Sequence, residues 1–162
     1  DIDDLISSEM GHDTILDFSA LSAWAIDTKV SIVKEKEEFG SYVGFYKIQN
    51  TAGAVFDPTT GALITPGNSG YKDAATHSSN SFNAISLIDY GFNSILTGGK
   101  MLAPYAITNT GHTYFSFEEA NSDGFNHFRN FGNGTIGFES QNGGGDKDFD
   151  DLIIGFDFQL IS

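Results

Sequence analysis

Cysteine is absent from this sequence, and with it every disulfide staple. Size makes none necessary. A single domain of 162 residues buries roughly 68–70% of the surface that its unfolded chain exposes. A cysteine-free chain suits the cytosol, and equally a surface protein braced by metal instead of sulfur. Basic residues are scarce as well: eight Lys and Arg stand against 22 Asp and Glu, for a formal charge of −14. That balance excludes nucleic acid as a partner, since phosphate binding needs a basic patch. It argues equally against an anionic membrane surface. No apolar run reaches the length of about 18 residues that a spanning helix requires, so direct membrane insertion is not expected. Nor is there a signal peptide. The first residue is Asp1, and the chain is therefore expected to be a fragment of a longer protein that carries targeting information elsewhere.

Signatures of catalysis are missing too. The four histidines (His12, His77, His112 and His127) are scattered, and without Cys or an HExxH motif zinc has no ligand set. Gly67-Asn68-Ser69-Gly70 is only a loose look-alike of a nucleophile elbow. Carboxylates are plentiful enough for a glycosidase pair, but abundance is not placement. The sequence reads as a binding or structural module, not as an enzyme.

Nineteen Gly and fifteen Phe, with frequent short alternations of apolar and polar residues, point to an all-β domain with tight turns. Strands are expected around Thr14–Phe18, Val30–Ile32, Tyr42–Ile48, Ala84–Ile88, Met101–Ile107 (on an edge, because of Pro104) and Thr113–Phe117, the last amphipathic. Asp57-Pro58-Thr59-Thr60-Gly61 reads as the turn of a hairpin between AVF and ALI. Asn133-Gly134 is the strongest hairpin signal in the chain. Single helical turns are expected at Lys72–Thr76 and Phe117–Asn121, and an exposed turn or short helix at Lys34–Glu38, with a surface loop over His77–Asn83. Seven to ten such strands with regular turns imply a β-sandwich of jelly-roll type with long loops. No internal repeat or boundary interrupts it: residues 1–20 read as a linker or edge strand joining a preceding domain, and 21–162 as one domain.

The chain is organised around Thr135–Leu160. Ile136 and Phe138 alternate up to Glu139. Gly143, Gly144 and Gly145 follow, then Asp146, Asp148, Asp150 and Asp151, then Leu152, Ile154, Phe156, Phe158 and Leu160 at a period of two. Two core strands thus hold a glycine-rich, acid-dense segment between them. Like charges about 4 Å apart repel by roughly 4 kcal/mol near a surface. A hard divalent cation cancels that repulsion, and calcium accepts about 6–8 oxygen ligands from a loop whose glycines permit tight curvature. Asp146-x-Asp148-x-Asp150 has the spacing of a calcium-loop start, without the later glycine and glutamate of an EF-hand. The bland alternative is a solvated acidic turn. With glycines before it and a buried strand after it, calcium is the favoured reading, with Glu139, Asp146, Asp148, Asp150 and Asp151 as ligands.

Several ordered segments together resemble a known family: YVGFYKI (42–48), PGNSGYKDAA (66–75), GGKMLAPY (98–105), FSFEEANSDGFNHFRNF (115–131) and GFESQNGGGDKDFDDLIIGFDF (137–158). They resemble a calcium-associated domain of secreted bacterial proteins that include giant repeats-in-toxin (RTX) adhesins. The final block is the most specific part, and the family more often has Asn where this chain has Asp150. The resemblance implies an extracellular module at the bacterial cell surface, acting beside other domains of the same adhesin. It further implies a calcium-dependent site that captures the free C-termini of proteins on host or neighbouring cells. It also places Asp123 and Asn126 near the acidic block as further oxygen ligands; turn-capping is their alternative role. Ligand contacts are then expected from Asp148 and Asp150 through calcium and from His127 and Arg129, a cationic pair whose alternative is a local salt bridge to the surrounding acids. Tyr71, with Tyr105 and Trp24, is a candidate platform whose alternative is core packing. A lectin-like module meeting glycan hydroxyls, or a calcium-stiffened spacer, are the competing functions.

Overall fold

The computed structural model describes residues 14–35, 42–86, 91–108, 110–140 and 152–161. The structure is an all-β sandwich with one short helix. Its strands are β1 (Leu16–Asp17), β2 (Ala25–Glu35), β3 (Tyr42–Ile48), β4 (Val55–Phe56), β5 (Leu63–Ile64), β6 (Ser81–Ser86), β7 (Gly91–Thr97), β8 (Met101–Ile107), β9 (Thr113–Phe115), β10 (Phe128–Gly132), β11 (Thr135–Phe138) and β12 (Leu152–Ile161). The helix α1 spans Tyr71–Thr76, and 3-10 turns cover Ser19–Leu21 and Glu118–Ala120. No helix among the described residues is long and apolar enough to cross a membrane.

One sheet has the order β1-β8-β3-β6, with β9 also on β8; the other runs β10-β11-β12-β2-β7, and β4-β5 stand apart as a hairpin. We call the first the inner sheet and the second the outer sheet. Within the first eight strands β1 pairs β8, β2 pairs β7, β3 pairs β6 and β4 pairs β5, all antiparallel. This nesting is that of one long hairpin, with β4-β5 at its tip, rolled across two sheets, which is the jelly-roll arrangement. Strands β10 to β12 then extend the outer sheet beyond β2.

Between the sheets lies a core of Leu16, Phe18, Ile26, Val30, Val43, Phe45, Leu102, Phe128, Ile136, Phe138, Leu152, Ile154 and Phe156. Burial of each large side chain contributes about 1.5–3 kcal/mol. A second core lies on the far face of the inner sheet. There Ile15, Tyr46, Ile48, Ala103, Tyr105, Phe115 and Phe117 meet Val55 of β4 and Tyr71, Ala74 and Ala75 of α1. The chain therefore stacks three layers, and the inner sheet is the middle one. Residues 43 to 46 of β3 and 102 to 106 of β8 are consequently buried without a break. Gly44 makes this possible opposite Tyr105, because a Cβ there would lie 2.6 Å from the Tyr105 ring.

Several expectations are met at their turns. Asn133 (φ 54) and Gly134 (φ 74) join β10 to β11, both in the left-handed region that a two-residue hairpin demands. The Asp57 carboxylate accepts the Thr59 N–H at 2.8 Å, turning β4 into β5. In β12 the residues Leu152, Ile154 and Phe156 face the core while Asp157 and Gln159 are exposed, as the period of two demands. Leu160 departs from it: at 42% exposure it has run past the rim of the core.

Other elements differ. Lys34 and Glu35 continue β2, in register with β12, and form neither turn nor helix; Lys36–Glu38 lie outside the described residues. β6 begins at Ser81, inside the expected polar loop, because Ser81 pairs with Tyr46. β8 is internal, yet Pro104 sits where β1 (facing 101 and 102) gives way to β9 (facing 105 to 107). Residues 114 to 117 are not amphipathic, since all four are buried between the layers. β7 was not expected at all; it occupies an edge of the outer sheet, where Ile95 is 65% exposed.

Candidate functional site

The segment leading into β10 is fixed by its own amides and carboxylates. Asn121 is buried, accepts the Phe115 N–H and donates to the Phe115 and Phe125 carbonyls, each at 2.7 Å. The chain turns at Gly124 (φ 65), whose N–H reaches the Asn121 carbonyl at 3.0 Å. Asp123 Oδ1 accepts the Phe125 N–H at 3.1 Å, and Asn126 Oδ1 accepts the Phe128 N–H at 3.0 Å. Asx turns of this kind form wherever an Asp or Asn oxygen reaches the amide two residues on. Both residues therefore cap turns.

His127 stands at the centre. It is fully buried. Its Nδ1 donates to the Glu139 carbonyl at 2.5 Å, and its Nε2 lies 2.7 Å from Asp123 Oδ2. The Glu139 N–H returns a bond to the His127 carbonyl at 2.8 Å. The ring stacks on Tyr114 (centroids 3.7 Å apart, planes at 21°) and meets the edge of Phe125 at 5.0 Å. Burial, and secondarily the charge of Asp123, push the Tyr114 hydroxyl above its usual range. The Tyr114 hydroxyl lies 3.3 Å from His112 Nδ1.

This geometry separates the expected cationic pair. His127 is hydrogen-bonded to the Asp123 carboxylate in the interior, whereas Arg129 is exposed on β10 opposite Gly137. Tyr71 corrects its expectation as a ligand contact. Its ring is 3% exposed in the second core and its hydroxyl donates to the Gly53 carbonyl at 2.6 Å, leaving the Tyr46 hydroxyl to donate to Tyr71 at 2.9 Å. Tyr105 is buried in the same layer and Trp24 is 37% exposed, so the three rings play separate parts. Tyr114 is the participant that sequence reasoning missed, because alternation assigned it to a solvent face.

Glu139 is fully buried, and Asp123 is 6% exposed at its side chain. A buried carboxylate is tolerated only when a counter-charge, hydrogen bonds or a metal compensates it. Asp146, Asp148, Asp150 and Asp151 lie outside the described residues. Among the described residues no three His, Cys, Asp or Glu groups converge as a metal site would require. The described residues contribute two separate acidic side chains, Asp123 on the His127 ring and the buried Glu139, with both imidazole nitrogens already engaged. Such a donor set fits a hard, oxygen-seeking cation such as calcium better than zinc.

The architecture and this end of the molecule define a jelly-roll domain with buried carboxylates beside the start of its acidic segment. The family model described as "Domain of unknown function (DUF4114)" matches residues 39–159, and the chain belongs to that family. No curated protein matches the chain, and no solved structure does.

Proposed function

We propose that this domain is a calcium-dependent ligand-binding module of a large secreted bacterial RTX adhesin. It works at the cell surface, and it binds peptides by a free C-terminal carboxylate at or near calcium. The reading is supported by two buried acidic residues, Asp123 with its carboxylate on the His127 ring and Glu139, which pairs with His127 through its main chain and lies four residues before Gly143. Carboxylates gathered at one place repel a carboxylate ligand; a partly coordinated divalent ion reverses the local sign. The protein's own contribution is to fix the oxygens in place before the ligand arrives. The reading is one of binding, not of catalysis.

Thermal unfolding tests it, in calcium, in chelator, and in calcium with short peptides ending in a free or an amidated C-terminus. At a hundred-fold excess over its dissociation constant, calcium is expected to add about 2.7 kcal/mol per site, with a further shift from free-carboxylate peptides alone. Asp148→Ala and Asp150→Ala are expected to remove both shifts. Identical melting in calcium and chelator sinks the reading.

One observation favours a carbohydrate ligand as the second reading. A groove of about 230 Å³ on the solvent face of the outer sheet is lined by Lys29, Ser31, Asn133, Thr135, Gly155 and Asp157, whose hydroxyl, amide and charged groups suit sugar hydroxyls. A calcium shift that peptides leave unchanged and glycans increase would select it.

A further inference from the structure

We infer that the groove on the outer sheet binds one neutral sugar unit of a glycan, and does so without calcium. The inference rests on the carbohydrate reading above for its class of ligand; the charge preference and the independence from metal are new. The groove starts as a gap in a sheet. β12 lies between β11 and β2, and its Gly155 faces Thr135 on one side and Ser31 on the other. With no side chain at 155, the solvent face dips between two hydroxyl-bearing neighbours. Two residues further along β12, Asp157 faces Lys29, and the Asn133-Gly134 turn stands at the β11 side.

A bulge supplies an apolar rim. Ile153 pairs with Lys34 but Ile154 with Ile32, so Val33 is the extra residue of β2. Bulges re-aim side chains, and Val33 is 61% exposed, with its Cγ2 3.1 Å from where a Cβ at 155 would lie. A methyl group beside polar groups suits a sugar ring, which has C–H faces and a hydroxyl edge. At about 230 Å³ the groove is smaller than the roughly 300–1,000 Å³ of pockets for larger ligands, so it takes a single ring.

The polar groups match hydroxyls, which both donate and accept. The Lys29 ammonium only donates and the Asp157 carboxylate only accepts, while Ser31 and Asn133 do both. Thr135 donates its hydroxyl proton to the Gly132 carbonyl at 2.8 Å, which leaves its oxygen as an acceptor. One cation and one anion make the groove formally neutral, on a chain of charge −14. That field repels acidic polysaccharides and leaves neutral ones unopposed. A peptide added as a strand needs a free sheet edge, and β12 is paired along both sides. None of the lining residues belongs to the acidic segment. The chain advances about 13 Å in extended form between Thr135 and Glu139, so the groove lies at the other end of β11 from the buried acids.

The labelled full chain is tested on arrayed neutral glycans (glucans, mannans, galactans) and acidic ones (uronates, sialylated chains), in calcium and in chelator. The strongest neutral binder is then titrated by calorimetry. Neutral glycans are expected to bind equally in both conditions. Asp157→Ala removes a charged hydrogen-bond acceptor and is expected to weaken binding by about 10–100-fold. Gly155→Ala, which fills the dip, is expected to weaken it several-fold, and Asp73→Ala on α1, with the same loss of charge, not at all. If the chain unfolds in chelator, these variants in calcium carry the test. Glycan binding that the groove variants leave unchanged, that a folded chain loses in chelator, or that is confined to acidic glycans overturns this inference alone. So does displacement of the bound glycan by short peptides. A chain that binds no arrayed glycan overturns the carbohydrate reading along with it.

Discussion

The two sheets share one core but live in different surroundings, and the difference lies in what covers their other faces. In the outer sheet β12 shows buried and partly or fully exposed residues in turn from Leu152 to Asp157. Across from it, Lys29 of β2 faces Asp157 in register. In the inner sheet the far face meets α1 and the β4-β5 hairpin, so β3 and β8 are buried on consecutive residues. A sheet with one wet face writes its orientation into the sequence as alternation; a sheet dry on both faces writes only a run of apolar and small residues. Gly44 and Gly155 make the same point. One keeps a ring seated, and the other floors an open groove.

The contrast breaks most clearly through core truncation. Phe156→Ala in the inter-sheet core and Tyr46→Ala in the second core are each expected to destabilise the domain by about 3–5 kcal/mol, measured by urea unfolding. A loss below about 1 kcal/mol for Tyr46→Ala would mean that the far face is a surface and not a core. Alanine at position 44 comes next. Its Cβ would meet the Tyr105 ring at 2.6 Å, and that ring is buried and tied to Ser81 Oγ at 2.9 Å. The expected loss is about 1–3 kcal/mol. Gly155→Ala, by comparison, meets Val33 Cγ2 at 3.1 Å, on a side chain 61% exposed, and Ser31 Oγ at an ordinary 3.6 Å, and its effect is expected within about 0.5 kcal/mol. Equal losses at the two glycines would erase the distinction between the sheets.

Alkali sharpens it from another side. Burial raises the Tyr46 hydroxyl, helped by its neighbour Tyr71, and burial also raises Tyr71 against the opposing effect of their shared hydrogen bond. Folded-state values above the unfolded one of about 10 favour the neutral, folded form. Their contribution is complete below that pH and lost as pH rises toward the folded values. Each tyrosine adds at most about 1.4 kcal/mol per pH unit to the slope. Tyr46→Phe is expected to flatten this limb in pH-dependent unfolding, since Tyr71 keeps its bond to Gly53. The five outer strands contain no tyrosine and give no such signal.

How much of this was legible follows from the same contrast. The Asn133-Gly134 hairpin, the Asp57–Gly61 turn and the β12 alternation all carried local signals, and all appear in the fold. Tyr71 takes its alternative role of core packing and Tyr114 sits in the inter-sheet core, because both faces of the inner sheet are covered, which a strand alone cannot show. At the candidate site the segment from Asp123 to Arg129 drew attention as a source of oxygens and cations, but the pairing of His127 with Glu139 did not. Counting outward from an unbroken Asn133-Gly134 hairpin would set His127 opposite Ser140. The register shift between Asn130 and Gly132 moves the pairing by one residue, to Glu139. A bulge is a tertiary choice with little sequence signature. The resemblance to calcium-associated adhesin domains supplied the rest of the site's expected role.

The nested pairing carries a kinetic consequence. The tip hairpin β4-β5 closes the shortest loop, and β3-β6, β2-β7 and β1-β8 enclose successively longer ones. The centre of the outer sheet joins Ala25–Glu35 to Leu152–Ile161, so it cannot form until nearly the whole chain is available. Non-local topologies of this kind fold over milliseconds to seconds, because loop closure comes before the contacts that reward it. Until β12 docks, the apolar stripe of Ile26, Val30 and Ile32 lacks its partner strand, and a nascent chain presents it as a sticky edge.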